Sequence, residues 1–374
     1  MLGLLRFASG CGLPLGVLAA CCTVLPAQTF RIDTVAGVGA PGYSGDRGPA
    51  VDAHLQRPTA VAVDAKGNIY IADYRNSRIR KVDPKGIIST VAGNWQNYAP
   101  PLIGDGGPAI AAQLRHPYGV AVGGQGEIYI ADQRGNRVRM VSATRKIQTI
   151  AGHGRASGPQ GDGGPAKRAS LAGPNDVAID GDGLVYIADA GHHAVRRIGA
   201  DGIITTFAGA GAPGFSGDGG PAAAAGLRHP SALSFDIHGN LYIADFGNHA
   251  VRRVAVDGTI TTVAGTGERG FNGDRIPATE AQLNEPCGVA VDSEGFVYIA
   301  DADNCRIRVV DTDGIIDTVA GTGRRGFSGD GGPAVDARIN IPDIIDIDRH
   351  GNLYIADHAN HRVRKLTRTD ATSQ

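Results

Sequence analysis

Tyr70-Ile71-Ala72-Asp73 decides the fold, because the same four residues return at Tyr129, Tyr186, Tyr242, Tyr298 and Tyr354. Every copy ends in an aspartate: Asp73, Asp132, Asp189, Asp245, Asp301 and Asp357. Successive copies start 59, 57, 56, 56 and 56 residues apart. So steady a period means that one supersecondary unit is repeated. The 374 residues could hold two or three ordinary domains. Six equal units with no linker between them suit one closed ring better.

Upstream of each tetrad lies a proline-led run such as Pro58-Thr59-Ala60-Val61-Ala62-Val63-Asp64. Its apolar residues alternate, as in a half-buried strand. Asp-x-x-Gly turns, as at Asp64–Gly67, lead from such runs into the tetrad strand, with glycine where φ must be positive. A four-residue turn leads to a third strand, Arg78–Val82, and a second Asp-x-x-Gly turn to a fourth, Ile87–Ala92. A long loop follows, ending in Gly-Asp-Gly-Gly-Pro-Ala at Gly104, Gly161, Gly217 and Gly329, with variants at Gly45 and Gly273. Proline and small residues after it suit one or two helical turns. Four antiparallel strands per unit and six units predict a β-propeller.

The last unit stops after its third strand, Arg362–Leu366, and the missing fourth strand stands at the other end as Arg31–Ala36. The ring is therefore expected to close by lending the N-terminal strand to the last blade, which pairs an otherwise exposed edge.

Residues 1–28 read as an export signal: Arg6 is the only charge before Arg31, and Cys11–Leu25 is apolar apart from Thr23. Two processing sites compete. One lies near Ala27 or Gln28; the other, Leu18-Ala19-Ala20-Cys21, resembles a lipobox and would leave a lipid on Cys21. Only Cys287 and Cys305 remain outside this leader, so the core rather than disulfides carries stability. Strand two separates them, which puts their Cα atoms ~9–10 Å apart. A disulfide needs under ~7 Å, so free thiols are expected. The net charge of −1 argues against a nucleic-acid partner.

These units resemble NHL repeats. The Asn-His pair of that family stands here as Asn248-His249 and Asn360-His361, each after its tetrad and before a Val-Arg strand. The long glycine-rich loop resembles exported bacterial NHL proteins and the NHL propeller of teneurins. The resemblance covers about residues 30–367 and implies six blades, but no single activity.

Residues present in every unit are read as scaffold. The tetrad aspartates and the arginines of the third strands are expected to cap turns and pair locally. The Gly-Asp-Gly-Gly loop lacks the alternating carboxylates of a calcium loop. His193, His249, Cys305 and His361 share a column, but they start third strands, about 10 Å further out than strand one. That is too far apart for ligands that zinc must hold within ~2.0–2.3 Å.

The informative positions are those that differ between units. Strand direction puts the long loop, the start of strand one and the turn between strands two and three on one face. After the leading proline stand Thr59, Tyr118, Asn175, Ser231, Cys287 and Asp343. Asn175, Asp176, Asp343 and Asp346 read either as holders of a cation or polar ligand or as hydrated mouth residues. His116 and His229 precede leading prolines; two are one short of a catalytic zinc triad, which histidines near the channel supply in lyase relatives. The loop between units one and two carries Trp95 and Tyr98, aromatics that suit a partner or sugar.

The sequence thus predicts an all-β, six-bladed propeller of four-stranded antiparallel blades over residues 29–367, with the leader before it and a polar tail, 368–374, after it. Its function is read as an exported scaffold that binds a protein or glycan through the loop-bearing face. No cofactor, metal or nucleic acid is expected, and membrane contact only through a lipid on Cys21. The alternative is a metal-dependent lyase or lactonase-like hydrolase at the channel mouth.

Overall fold

The structure is a computed structural model and describes residues 29–94, 104–156 and 161–369. The leader, Trp95, Tyr98 and the tail beyond Thr369 lie outside the described residues. Six antiparallel sheets are arranged in sequence around one axis. Their inner strands are Pro58–Val63, Pro117–Val122, Pro174–Ile179, Pro230–Phe235, Pro286–Val291 and Pro342–Ile347. Each inner strand packs on those of both neighbouring blades, and Pro342–Ile347 packs back on Pro58–Val63, so the ring is closed. We number the blades 1 to 6 in that order.

Closure follows the expected route. Phe30–Ala36 pairs antiparallel with Arg362–Arg368 as the outer strand of blade 6, from Phe30 opposite Arg368 to Ala36 opposite Val363. Phe30, Ile32 and Ala36 are buried there, so apolar burial adds to the ladder.

The glycine-rich loops add a feature not foreseen. Each runs from one blade onto the outer strand of the next. Gly164–Pro165 pairs with Ile203–Ile204 of blade 3, and Ile276–Pro277 with Ile315–Ile316 of blade 5. Single bridges repeat the arrangement at Pro49–Ile87, Pro108–Lys146, Pro221–Thr259 and Arg31–Pro333. The exposed edge of every blade is thereby covered, and adjacent blades are tied together. The proline then starts one turn of 3-10 helix, as at Ala109–Ala111. The core lies between the sheets, in layers of Ile, Val, Ala and Leu from facing blades.

Candidate binding face around the channel mouth

The repeated charges come first, because they could pass for a site. Arg80, Arg139, Arg196, Arg252, Arg308 and Arg364, one per third strand, are fully buried. Each Nη2 pairs with the aspartate of a glycine-rich loop: Asp46 at 2.8 Å, Asp105 at 2.7, Asp218 at 2.6, Asp274 at 2.9, Asp330 at 2.6, and Asp162 likewise. In five blades Nη1 also approaches the tetrad aspartate, at 3.4–3.6 Å. Those aspartates accept a backbone N–H from the segment before their own inner strand, as Asp73 does from Gln56 at 2.8 Å. Asn76, Asn248, Asn304 and Asn360 donate to the other carboxylate oxygen at 2.8 Å. Burial pushes Asp73, Asp132, Asp245, Asp301 and Asp357 up to about 6, against the pull of these partners. Buried charges persist only when paired and hydrogen-bonded. The loop aspartates are thus claimed by arginine, and the expected scaffold role of both sets holds.

The histidine column has a structural task as well. Ser77, Asn136, His193, His249 and His361 close one-turn helices, and Cys305 the matching turn, in the left-handed region, φ 48–55°, where Asn and His are enriched among non-glycine residues. The ring Nδ1 of His361 accepts the N–H of Arg57 at 3.0 Å, that of His193 the N–H of His229, and that of His249 the N–H of Glu285, both at 3.2 Å. Asn136 does the same for Gly173 at 2.9 Å. Each donor precedes the leading proline of the next blade, so these bonds fasten neighbouring blades.

The mouth itself does not repeat. The Tyr118 hydroxyl of blade 2 donates to Asp343 Oδ2 of blade 6 at 2.9 Å, passing over blade 1. Thr59 of blade 1 donates to the Tyr118 carbonyl at 2.7 Å. Ser231 donates to the Cys287 carbonyl at 2.9 Å. His358 Nδ1 lies 3.2 Å from the Pro58 carbonyl and 3.7 Å from Asp343. Thr59, Ser231, Cys287 and Asp343 are buried, while Tyr118 and Asn175 are half-buried. The mouth is thus plugged by its own side chains. Burial holds the Asp343 carboxyl up at about 7, opposed by the Tyr118 hydrogen bond.

The channel is open further down, toward the Asp-x-x-Gly turns. A cavity of about 240 Å³ lies among Val61, Val120, Leu233, Phe235, Asp176 and Asp346. That is below the ~300–1,000 Å³ of common small-molecule clefts. Asp176 Oδ2 accepts the N–H of Leu233 in blade 4 at 3.0 Å. On the other side, a Cβ on Gly119 of blade 2 would sit 2.5 Å from Asp176 Oδ1, so only glycine admits this carboxyl. Burial pushes Asp176 up to about 8. Asp346 accepts the N–H of Val63 in blade 1 at 2.7 Å.

The four residues read as a cation or ligand set therefore fall into three settings. Asn175 accepts from Gln133 at 2.7 Å, Asp343 closes the mouth, and Asp176 and Asp346 brace the lower channel. Among the described residues no three His, Cys, Asp or Glu side chains gather as a metal site. His116 stacks on Tyr74, ring centroids 4.8 Å apart, while His229 meets His193 edge-on at 4.5 Å. Cys287 and Cys305 are free and buried. Inspection of strand one alone missed Tyr74, Gln133 and His358, which follow the tetrads. The signal was present, since that turn shares the loop-bearing face.

The teneurin NHL domain profile matches residues 39–102, 154–214 and 266–327, half of the chain. Human teneurin-4 is 28% identical over 353 residues, covering 83% of this chain and 12% of teneurin-4. The chain thus spans about an eighth of that relative's length. A Bacteroides thetaiotaomicron structural genomics protein of unknown function superposes with a TM-score of 0.67 at 19% identity, over 91% of this chain and 76% of that one. A streptogramin B lyase superposes with a TM-score of 0.52 at 13% identity, over 91% of this chain and 98% of the lyase. At these identities the two structures speak for the fold alone. Together with the six tetrads, the domain match means that this chain belongs to the teneurin NHL-propeller family.

Proposed function

We propose that this propeller is an exported binding scaffold that engages a protein or glycan through its loop-bearing face. The observation that carries the reading is the plugged mouth: Tyr118 and Asp343 close the channel where a substrate would enter, while the turns around them differ from blade to blade. The side chains that vary between blades are then a surface, and a rigid ring presents it. The apolar leader over Cys11–Leu25 supports export. The lyase or hydrolase alternative would require an open mouth with a converging ligand set, and the mouth residues bond to one another instead.

The test is photo-crosslinking in an envelope extract of the source organism, with a photoreactive residue at Tyr74 or Arg134 on the loop-bearing face, or at Lys66 or Arg349 on the opposite face. Discrete adducts are expected from the first pair only. Equal adducts from both pairs, or turnover of a lactone by the metal-loaded protein, would overturn the reading.

A further inference from the structure

The loop-bearing face carries a group of arginines on blades 1 and 2. Over blades 1 and 2, Arg57 and Arg134 are exposed and Arg75 is half-buried. Among the described residues, none of the three has a carboxylate partner. Two acids of this face, Asp303 and Glu285, lie across the ring on blade 5. There Asp303 is paired with Arg325 at 3.1 Å, and Glu285 lies within the field of Arg269.

Beside Arg75 and Arg134 lies an aromatic group, and Arg57 stands by His358 and His361. Tyr74 stacks on His116 and meets Tyr118 edge-on, with centroids 5.7 Å apart. The Arg75 guanidinium lies 5.5 Å from the Tyr74 ring centre. His116 is only 8% exposed, and its Nδ1 has no hydrogen-bond partner. Burial, and then the charges of Arg134, Arg75 and Arg115, hold His116 below the usual histidine range. A buried, neutral imidazole thus lies within the field of Arg75 and Arg134, neither of which has a carboxylate partner among the described residues.

We propose that this patch seats an acidic segment of a protein partner, its carboxylates on Arg57, Arg75 and Arg134 and its side-chain stems on Tyr74 and Tyr118. The inference rests on the loop-bearing face being the binding face, and adds the partner's chemistry. The three guanidiniums come from three separate turns of two blades, so one carboxylate would leave the field largely unanswered. Several carboxylates along a chain match it. Arginine–carboxylate pairs can be bidentate, and such complementarity confers partner selection and fast encounter.

The probe is fluorescein-labelled hexaglutamate, its binding followed by anisotropy. Wild-type protein is expected to bind it, more weakly as salt rises. An Arg57→Ala/Arg75→Ala/Arg134→Ala variant should raise Kd at least about thirtyfold, from the loss of charge-assisted bonds. Arg145→Ala/Arg349→Ala on the opposite face should change it less than about twofold, as surface changes outside a contact do. Should the triple variant melt early, Arg134→Glu alone, at an exposed side chain, gives the same reading. Equal losses in both variant sets would overturn the proposal in favour of general charge attraction. Displacement of the probe by inorganic phosphate or hexauridylate at matching concentrations would overturn it in favour of phosphate recognition. Loop-face crosslinks without hexaglutamate binding would remove the acidic class and leave the binding face standing; absence of both would remove both.

Discussion

Each blade interior holds a buried arginine paired with a loop aspartate, six times over, and in five blades the tetrad aspartate stands beside it too. At the mouth no two neighbouring blades offer the same side chain after the leading proline, and the bonds run from blade to blade. Within a blade, chemistry serves local order: a loop is pinned to the strand it covers. At the mouth, chemistry serves the ring as a whole, because Tyr118 and Asp343 belong to blades separated by a third. Residues that recur are explained by what a single blade needs. Residues that occur once must be explained by their place around the axis.

That contrast can be broken most forcefully at the closure, where an interior element comes from the far end of the chain. Removing residues 29–37 strips Phe30 and Ile32 from the core of blade 6 and bares its third strand. The melting temperature should fall by at least about 10 °C, and a melt within ~2 °C of wild type would show that the strand is dispensable. Next in size is one interior charge. Arg252→Ala leaves the buried Asp245 facing no cation and should cost about 3–5 kcal/mol in denaturant unfolding; a loss under ~1 kcal/mol would place these arginines among the weak surface pairs.

The smallest effect is the most diagnostic, because it sets the ring's axis against its blades by pH. The folded Asp176 carboxyl keeps its proton up to about 8 because it is buried, whereas an unfolded one loses it near ~3.9. A raised folded value means that this residue's contribution is fully present below ~3.9, falls as pH rises above that, and is wholly lost beyond about 8. Asp176→Asn mimics the protonated form. It should be more stable than wild type at both pH 6.5 and pH 9.5, with the gap widening by on the order of 2 kcal/mol between them. A gap that stays the same at the two pH values would mean that Asp176 is already ionised in the fold at pH 6.5.

Most of the architecture was legible because it is written six times. The tetrad period, the proline-led strands and the paired turns are local signals, and even the closure was visible as a strand missing at one end and spare at the other. The crossing of each glycine-rich loop onto the next blade was not legible. Gly164 meets Ile204 forty residues on, and nothing in the loop's composition points there. The site was legible only as a face. Strand direction put Tyr118, Asn175 and Asp343 together, but not the phenol reaching across 225 residues to a carboxyl. Asp176 was legible only as one of the mouth candidates, not as a side chain braced lower in the channel. Its burial depends on Gly119 of another blade making room, which no single-strand reading can supply.

The borrowed strand also sets how the ring responds to tension. Thr29 and Thr369 are neighbours, their hydroxyls 2.8 Å apart, and Phe30 lies opposite Arg368 at the same end of the pair. A pull on the flanking chain therefore loads one rung at a time, starting from Thr29–Thr369, and peels the seam instead of shearing it. Stretched from its ends, the propeller would give way first at this zipper, while the other five blades bear little of the force.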